Sequence, residues 1–381
     1  MAADFSRILH FARTSLGPAF QGLRAIPLHA EVLGFGPSRA QKVAFLPAYG
    51  RNGAALLRIH RMAEALEAHG WRSLVLPPGL SLAQRRRFLQ RGAPDVVVMQ
   101  GARHALNRPW LYRDWPIVFD MDDADFHLPH LAGAVTRAMP EVAAVIAGSR
   151  YIADWCRCAG AARAQVVWTG NPASARASTA PEARPPVVAW AQTRPMTYKA
   201  EAGFVAEVMR GVAARHPGVT LRLYDRQAGD DPGFADRFAA PGLTVEWLPA
   251  MPYGAYLDSF DDVALGLAPL LGQDPFVKGK SFGKVLAYLD RKVPVLASEA
   301  GEHGRFFTSA TGVLSNDRGA WEAALVRLLQ DGAARRTMAE AAFADFRARL
   351  SLEAAAEATD RVLRDVLSAT SGSSAALSAV H

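Results

Sequence analysis

Short unbroken apolar runs alternate along this chain with stretches whose apolar residues recur every three or four positions. The first kind reads as buried strand and the second as amphipathic helix. Runs at Lys42–Leu46, Ser73–Leu76, Asp95–Met99, Ile117–Asp120, Val145–Ala147 and Val166–Trp168 predict strands. Between the first two, Ile59, Met62, Ala63 and Leu66 share one helical face, and Gly70 is placed to cap its end. A further helix is expected over Leu82–Gln90. The pattern restarts at Val187–Ala191 and passes a helix carrying Val205, Val208, Met209 and Val212. It continues through Thr220–Tyr224 and Thr244–Trp247 to a strand–loop–helix–strand unit, Asp261–Ser298. Helices follow at Arg318–Leu329, Ala333–Leu350 and Leu352–Leu367. Strands alternating with helices predict α/β parallel sheets covered on both faces.

The two series are separated by NPASARASTAPEARPP, rich in Pro, Ala and Ser and without an apolar period. Two Rossmann-like domains are therefore expected, 1–172 and 187–350, joined by a linker at 173–186. A helix at 351–367 and a disordered tail at 368–381 would follow. Residues 1–40 are the least legible and are expected to pack on the first domain as a helix and a loop. The carboxyl ends of both sheets would face a central cleft.

Composition narrows the ligand. The formal net charge of +7 suits an anionic ligand or an anionic membrane surface. No aromatic-interleaved basic motif points to nucleic acid. No apolar run of about eighteen residues predicts a membrane span. The N-terminus lacks the apolar core of a secretory signal, so a cytoplasmic protein is expected. Cys156 and Cys158 stand two apart in a predicted helix, which favours buried free thiols over a disulfide or metal pair.

Candidate chemistry gathers at predicted strand ends. Lys278, Lys280 and Lys284 crowd the start of a helix expected at Ser281, its N-cap. Cations there oppose the helix dipole, and an anion held by the backbone N–H groups of Phe282, Gly283 and Lys284 would remove the conflict. A solvated basic turn accounts for the same residues equally well. Arg194 and Lys199 follow the strand at 187–191, where a fork and a point charge can grip one diphosphate. Four aspartates fall between Asp120 and Asp125. They read as a metal site, a general base with an acceptor-binding partner, or a loop tied by Asx turns. His127 and His130 lie beyond them as weak ligand candidates. The loop Tyr49–Gly53 enters a helix but lacks the G-x-G-x-x-G spacing of a dinucleotide site. Arg85–Arg87 with Arg91 read as an exposed helix face or, less strongly, as a lipid-docking patch.

From residue 42 to 367 the chain resembles the group-1 GT-B glycosyltransferases, which are usually retaining and metal-independent. GRNGAALLRIHRMAEALEAHGW resembles the family's first Gly loop and helix. PIVFDMDDADF resembles a D-x-D-D strand end, and VIAGSRYIADWCRCAG with VVWTGNP resembles the end of the first domain. Arg194 and Lys199 match R-x-x-x-x-K, and KGKSFGKVLAYLDRKVPVLAS resembles the donor-site block. The resemblance implies transfer of a sugar from a nucleotide-sugar donor to a glycan, lipid-linked or small-molecule acceptor in cell-envelope polysaccharide or glycoconjugate synthesis, with no cofactor and no metal; a nucleotide-sugar epimerase on the same fold and a catalytically inactive glycosyltransferase-like binding protein are the alternatives. It implies that Arg194, Lys199, Lys280, Ser281, Phe282, Gly283 and Lys284 bind the donor's phosphates and sugar. Leu248–Met251, with Pro249 and Met251, would line the nucleobase pocket. Asp122 would be the polar catalytic residue, with Asp123 its rival, Gly50, Asn52 and Gly53 would face the acceptor, and the last helix would cross back to pack on the first domain. Three positions depart from the family. Gly279 and Ala287 stand where its two donor-site glutamates belong, and Gln192-Thr193 replaces a glycine-rich turn.

Overall fold

The computed structural model describes Phe35 and residues 40–173, 179–271 and 275–378. The elements expected before residue 40, part of the linker and part of the loop at 272–279 lie outside them.

Two six-stranded parallel sheets organise the chain. The first contains β1 (Gln41–Leu46), β2 (Trp71–Val75), β3 (Val96–Gln100), β4 (Ile117–Met121), β5 (Ala144–Ala147) and β6 (Ala164–Val166), in the order β2-β1-β3-β4-β5-β6. The second contains β7 (Val187–Trp190), β8 (Val219–Tyr224), β9 (Leu243–Leu248), β10 (Leu265–Ala268), β11 (Val295–Ala297) and β12 (Val313–Leu314), in the order β12-β11-β10-β7-β8-β9. Strand order reverses between β1 and β3 in one sheet and between β7 and β10 in the other. Ligands of open α/β sheets sit at such switch points, beyond the carboxyl ends of the strands.

Alternation along each strand sorts side chains between the two faces. Val43, Phe45, Val96, Val98 and Val118 join one core cluster, while Ala44, Leu46, Val97, Met99 and Phe119 join the other. Ile59, Met62, Ala63 and Leu66 close the first of these faces. The rest of its cover comes from the far end of the chain: Leu352, Ala355, Ala356, Val362, Leu363 and Val366. The chain crosses between the sheets at two neighbouring points. Asn171 N–H donates to Leu350 O (3.1 Å), and Leu352 N–H donates to Asn171 O (2.9 Å).

Five expectations need correction. β6 ends at Val166, because Trp168 turns toward the other domain. The last helix runs Leu352–Ser378, past Leu367 and into the stretch expected to be disordered; Thr370 still bonds back to Val366 O at 2.9 Å. Cys156 is buried as expected, but Cys158 is exposed on the other side of its helix. Arg85 points inward and is fully buried, where Asn107 Oδ1 (3.0 Å) and Pro78 O (2.7 Å) accept its protons. The fifth correction concerns the helix at Ser281 and belongs to the cleft.

Candidate functional site in the interdomain cleft

Asp120–Asp125 leaves the carboxyl end of β4 as a set of ion pairs. Asp120 is buried against Arg58, whose Nε reaches both its carboxylate oxygens at 3.0 Å. Arg58 Nη1 also donates to Val167 O (3.1 Å) and Thr169 Oγ1 (3.0 Å), and lies 3.5 Å from Asp122 Oδ1. Burial acts against the Arg58 charge, but Asp120 and Asp122 outweigh it and raise its pKa. Arg58 reaches this site because the helix entered at Gly53 widens into a π-turn over Leu56–Arg61, which buries three successive residues, Leu57, Arg58 and Ile59. Such turns often mark functional sites.

Asp122 Oδ1 accepts from Thr169 Oγ1 (2.8 Å), and its side chain is 25 % exposed to the cleft. Gly148 makes this placement fit, since a Cβ there would stand 2.8 Å from Asp122 Oδ1. Asp123 bridges both domains: Arg103 Nη2 donates to Oδ2 at 2.8 Å and Lys280 Nζ to Oδ1 at 2.7 Å. Burial opposes ionisation of Asp123, but Lys280 and Arg103 outweigh it and hold its pKa below the ordinary carboxylate value. Arg103 also grips Asp125 from Nε, at 3.0 and 2.9 Å. His127 shares a proton with Tyr151 OH (2.8 Å), and His130 is exposed. Among the described residues no group of three or more His, Cys, Asp or Glu is arranged to hold a metal ion.

Opposite lies the switch point of the second sheet. Arg194 and Lys199 are exposed just beyond β7, and among the described residues no carboxylate pairs with either. Gln192 is buried, with its N–H on Trp190 O (3.0 Å). Lys284 Nζ donates to Thr193 Oγ1 at 3.3 Å, which ties the loop after β10 to the loop after β7. Lys284 is exposed in the turn, and partial desolvation among its neighbours, then the Lys280 ammonium, lower its pKa to about 8.

The helix expected at Ser281 begins later. It is a five-residue element, Leu286–Asp290, preceded by Val285 with no side-chain cap. Phe282 drives the change by burying its ring in the second core, and Val285 N–H closes a turn onto Phe282 O (2.8 Å). Ser281 is half-buried outside any helix, whereas Gly283 and Lys284 are exposed in the turn. The cations therefore line a loop, and a helix dipole contributes little here.

Gly279 and Ala287 turn no polar side chain to the cleft. Ala287 is buried in the core, and a Cβ on Gly279 would stand 2.7 Å from Ala124 Cβ of the first domain. Phe276 packs on the first core and carries Lys280 Nζ 4.5 Å from its ring centroid. Pro249 is exposed, and Met251 packs against the second core beneath it. Gly50, Asn52 and Gly53 are exposed beyond β1.

Arg58, Arg103 and Thr169 are not anticipated from the sequence. Arg58 carried a signal, a charge interrupting the apolar stripe between Leu57 and Ile59. Arg103 carried a weaker one, since it follows a buried strand end within three residues.

No family model matches the chain, and no curated protein matches it. Its likeness is to solved structures. Sucrose-phosphate synthase (tll1590) from Thermosynechococcus elongatus superposes with a TM-score of 0.65 at 14 % identity, over 86 % of this chain and 100 % of that one. A glycosyltransferase from Rickettsia africae gives 0.64 at 10 % identity, over 87 % and 99 %. Alr3699/HepE from Anabaena, solved in complex with UDP-glucose, gives 0.63 at 15 % identity, over 86 % and 99 %. At these identities the likeness is one of fold: two Rossmann-like domains in the GT-B arrangement.

Proposed function

We propose that the chain is a glycosyltransferase that moves a sugar from a nucleotide-sugar donor to a glycan, lipid-linked or small-molecule acceptor. One observation carries the reading. Cations with no carboxylate partner among the described residues stand at the switch point of the second sheet, opposite carboxylates at the end of β4. Arg194, Lys199 and Lys284 would take the donor's diphosphate, with Ser281, Phe282 and Gly283 beside it and Pro249 and Met251 toward the base. Negative charge builds on that diphosphate as the sugar leaves, and fixed cations offset it with no metal required. Asp122 is the carboxylate we assign to the acceptor, because only its Oδ1 is engaged among the described residues. Asp123 would stay ionised beside it, and the loop at Gly50, Asn52 and Gly53 would admit the acceptor.

In this reading attack occurs on the face from which the diphosphate leaves, so configuration is retained. A lipid-linked acceptor and a place in cell-envelope glycan synthesis fit the exposed Arg87 and Arg91 and the net charge of +7, which favour an anionic membrane on the cytoplasmic side. Among the described residues no helix is long and apolar enough to cross a membrane.

The Anabaena protein of like fold was solved with UDP-glucose, so UDP is the first nucleotide to test. A ligand that binds only the native state raises the melting temperature; at a hundredfold excess over Kd it adds about 2.7 kcal/mol. Melting with UDP, GDP, ADP, TDP and CMP should show a shift for one of them. That shift should vanish in Arg194→Ala. A folded protein that responds to none would overturn the donor assignment.

A further inference from the structure

Glu302 follows the turn at the carboxyl end of β11, in the second domain, and is 4 % exposed. Among the described residues, every partner of its carboxylate belongs to the first domain. Oε1 accepts from the backbone N–H of Arg150 at 2.9 Å. Oε2 accepts from Arg150 Nη1 at 2.5 Å and from the indole Nε1 of Trp168 at 3.1 Å. Arg150 opens the helix Arg150–Cys158, so the carboxylate also meets the positive end of that helix. The Arg150 guanidinium lies 5.3 Å from the centroid of the Trp168 ring, which in turn meets Phe282 edge-on at 5.1 Å. The main chain of Glu302 does a second job: its N–H donates to Lys280 O at 3.1 Å.

One residue thus grips the first domain with its side chain and the Lys280 loop with its backbone. The pair is weak as a source of stability, since the exposed Arg150 end is screened by solvent and desolvation of Glu302 cancels much of the attraction. It is strong as a register, because three donors satisfy this carboxylate at one interdomain geometry only. In that geometry Lys280 meets Asp123 and Gly279 seats on Ala124.

We propose that Glu302 is the positioning residue of the cleft, clasping the second domain to the first so that Lys280 and Asp123 are brought into one site. Glu302 acts through Arg150, Trp168 and the Lys280 main chain, and touches no reacting group itself. The consequence for turnover rests on the glycosyltransferase reading; the clasp does not.

The full-length chain tests it as Glu302→Ala and Glu302→Asp, with the exposed Glu299→Ala as control. Small-angle scattering should show a larger radius of gyration for Glu302→Ala, partly reversed in Glu302→Asp and absent in the control. Amide exchange at Arg150 should quicken by about tenfold as its acceptor is lost. UDP affinity should stay within about threefold of wild type, since the nucleotide would sit on the second domain, while kcat with UDP-glucose falls by about tenfold or more. Should Glu302→Ala not fold, Glu302→Asp carries the same readouts. A wild-type radius with wild-type Arg150 exchange would overturn the clasp. An opened cleft with unchanged kcat would overturn the positioning role. A wild type that binds no nucleotide would remove the transferase reading, and scattering and exchange would still decide the clasp.

Discussion

At the scale of single residues, the cleft is governed by how each charge is matched. Arg58 and Asp120 satisfy each other in the core, and Thr169 and Asp122 complete the set. Arg103 and Lys280 hold Asp123 from opposite sides. Lys284 has no such match among the described residues; partial desolvation, then the neighbouring Lys280 ammonium, lower its pKa to about 8. Its ammonium is present below that pH and lost above it. Affinity for UDP should therefore fall as pH rises through about 8, and binding at pH 8.5 should take up protons as the diphosphate restores the charge. Calorimetry in buffers of different ionisation enthalpy measures that uptake. Lys284→Arg should abolish both effects, because a guanidinium stays charged throughout. A pH-independent affinity in the wild type would show that Lys284 lies off the phosphate path.

At the scale of elements, the helix Leu352–Ser378 completes the first domain from the far end of the chain. Its Leu363 is fully buried with Val43, Phe45, Val96 and Val98 in one cluster. Leu363→Ala should cost about 2–5 kcal/mol, as for other large-to-small changes in a core. Denaturant unfolding should show the loss in the transition that reports the first sheet. A loss below about 1 kcal/mol would mean that the first sheet closes that face without the helix. The helix itself was legible, because its apolar residues keep a 3.6-residue period. Its partner followed from the family resemblance, which implies a last helix packed back on the first domain, as found; periodicity by itself records that a face is buried and carries no address. The short helix Leu286–Asp290 shows the opposite case. A serine cap and an apolar stripe pointed to Ser281, yet burial of the Phe282 ring outweighed local capping.

For the whole molecule, the question is what keeps the cleft closed. Glu302, the Lys280–Asp123 pair and Tyr253, whose OH donates to Asn171 Oδ1 at 2.5 Å, all cross it. Gly279 sets how near the domains approach, because any side chain there meets Ala124 and then Ile152 Cγ1 at 3.4 Å. Gly279→Glu, which restores the carboxylate common at this position in the family the chain resembles, should force the domains apart. Scattering should then give a larger radius of gyration without loss of secondary structure by circular dichroism. An unchanged radius would mean that the loop yields instead of the cleft.

The sequence alone determined the two-domain α/β plan, all but one of the strands, and the residue types offered at the strand ends. These follow from local rules: a period of two or 3.6, a cap, a proline-rich break. It also placed Asp122, Asp123, Arg194 and Lys199 near carboxyl ends, since a strand's direction fixes which end its loop leaves. Only the tertiary structure decided the pairings. Arg58 meets Asp120 across 62 residues, Lys280 meets Asp123 across 157, and Glu302 meets Arg150 across 152. A charge shows in sequence as a charge whether it ends on the surface, in a core or across a cleft. Its partner is selected by which faces must be buried together, and that choice is made by the packing of the whole chain.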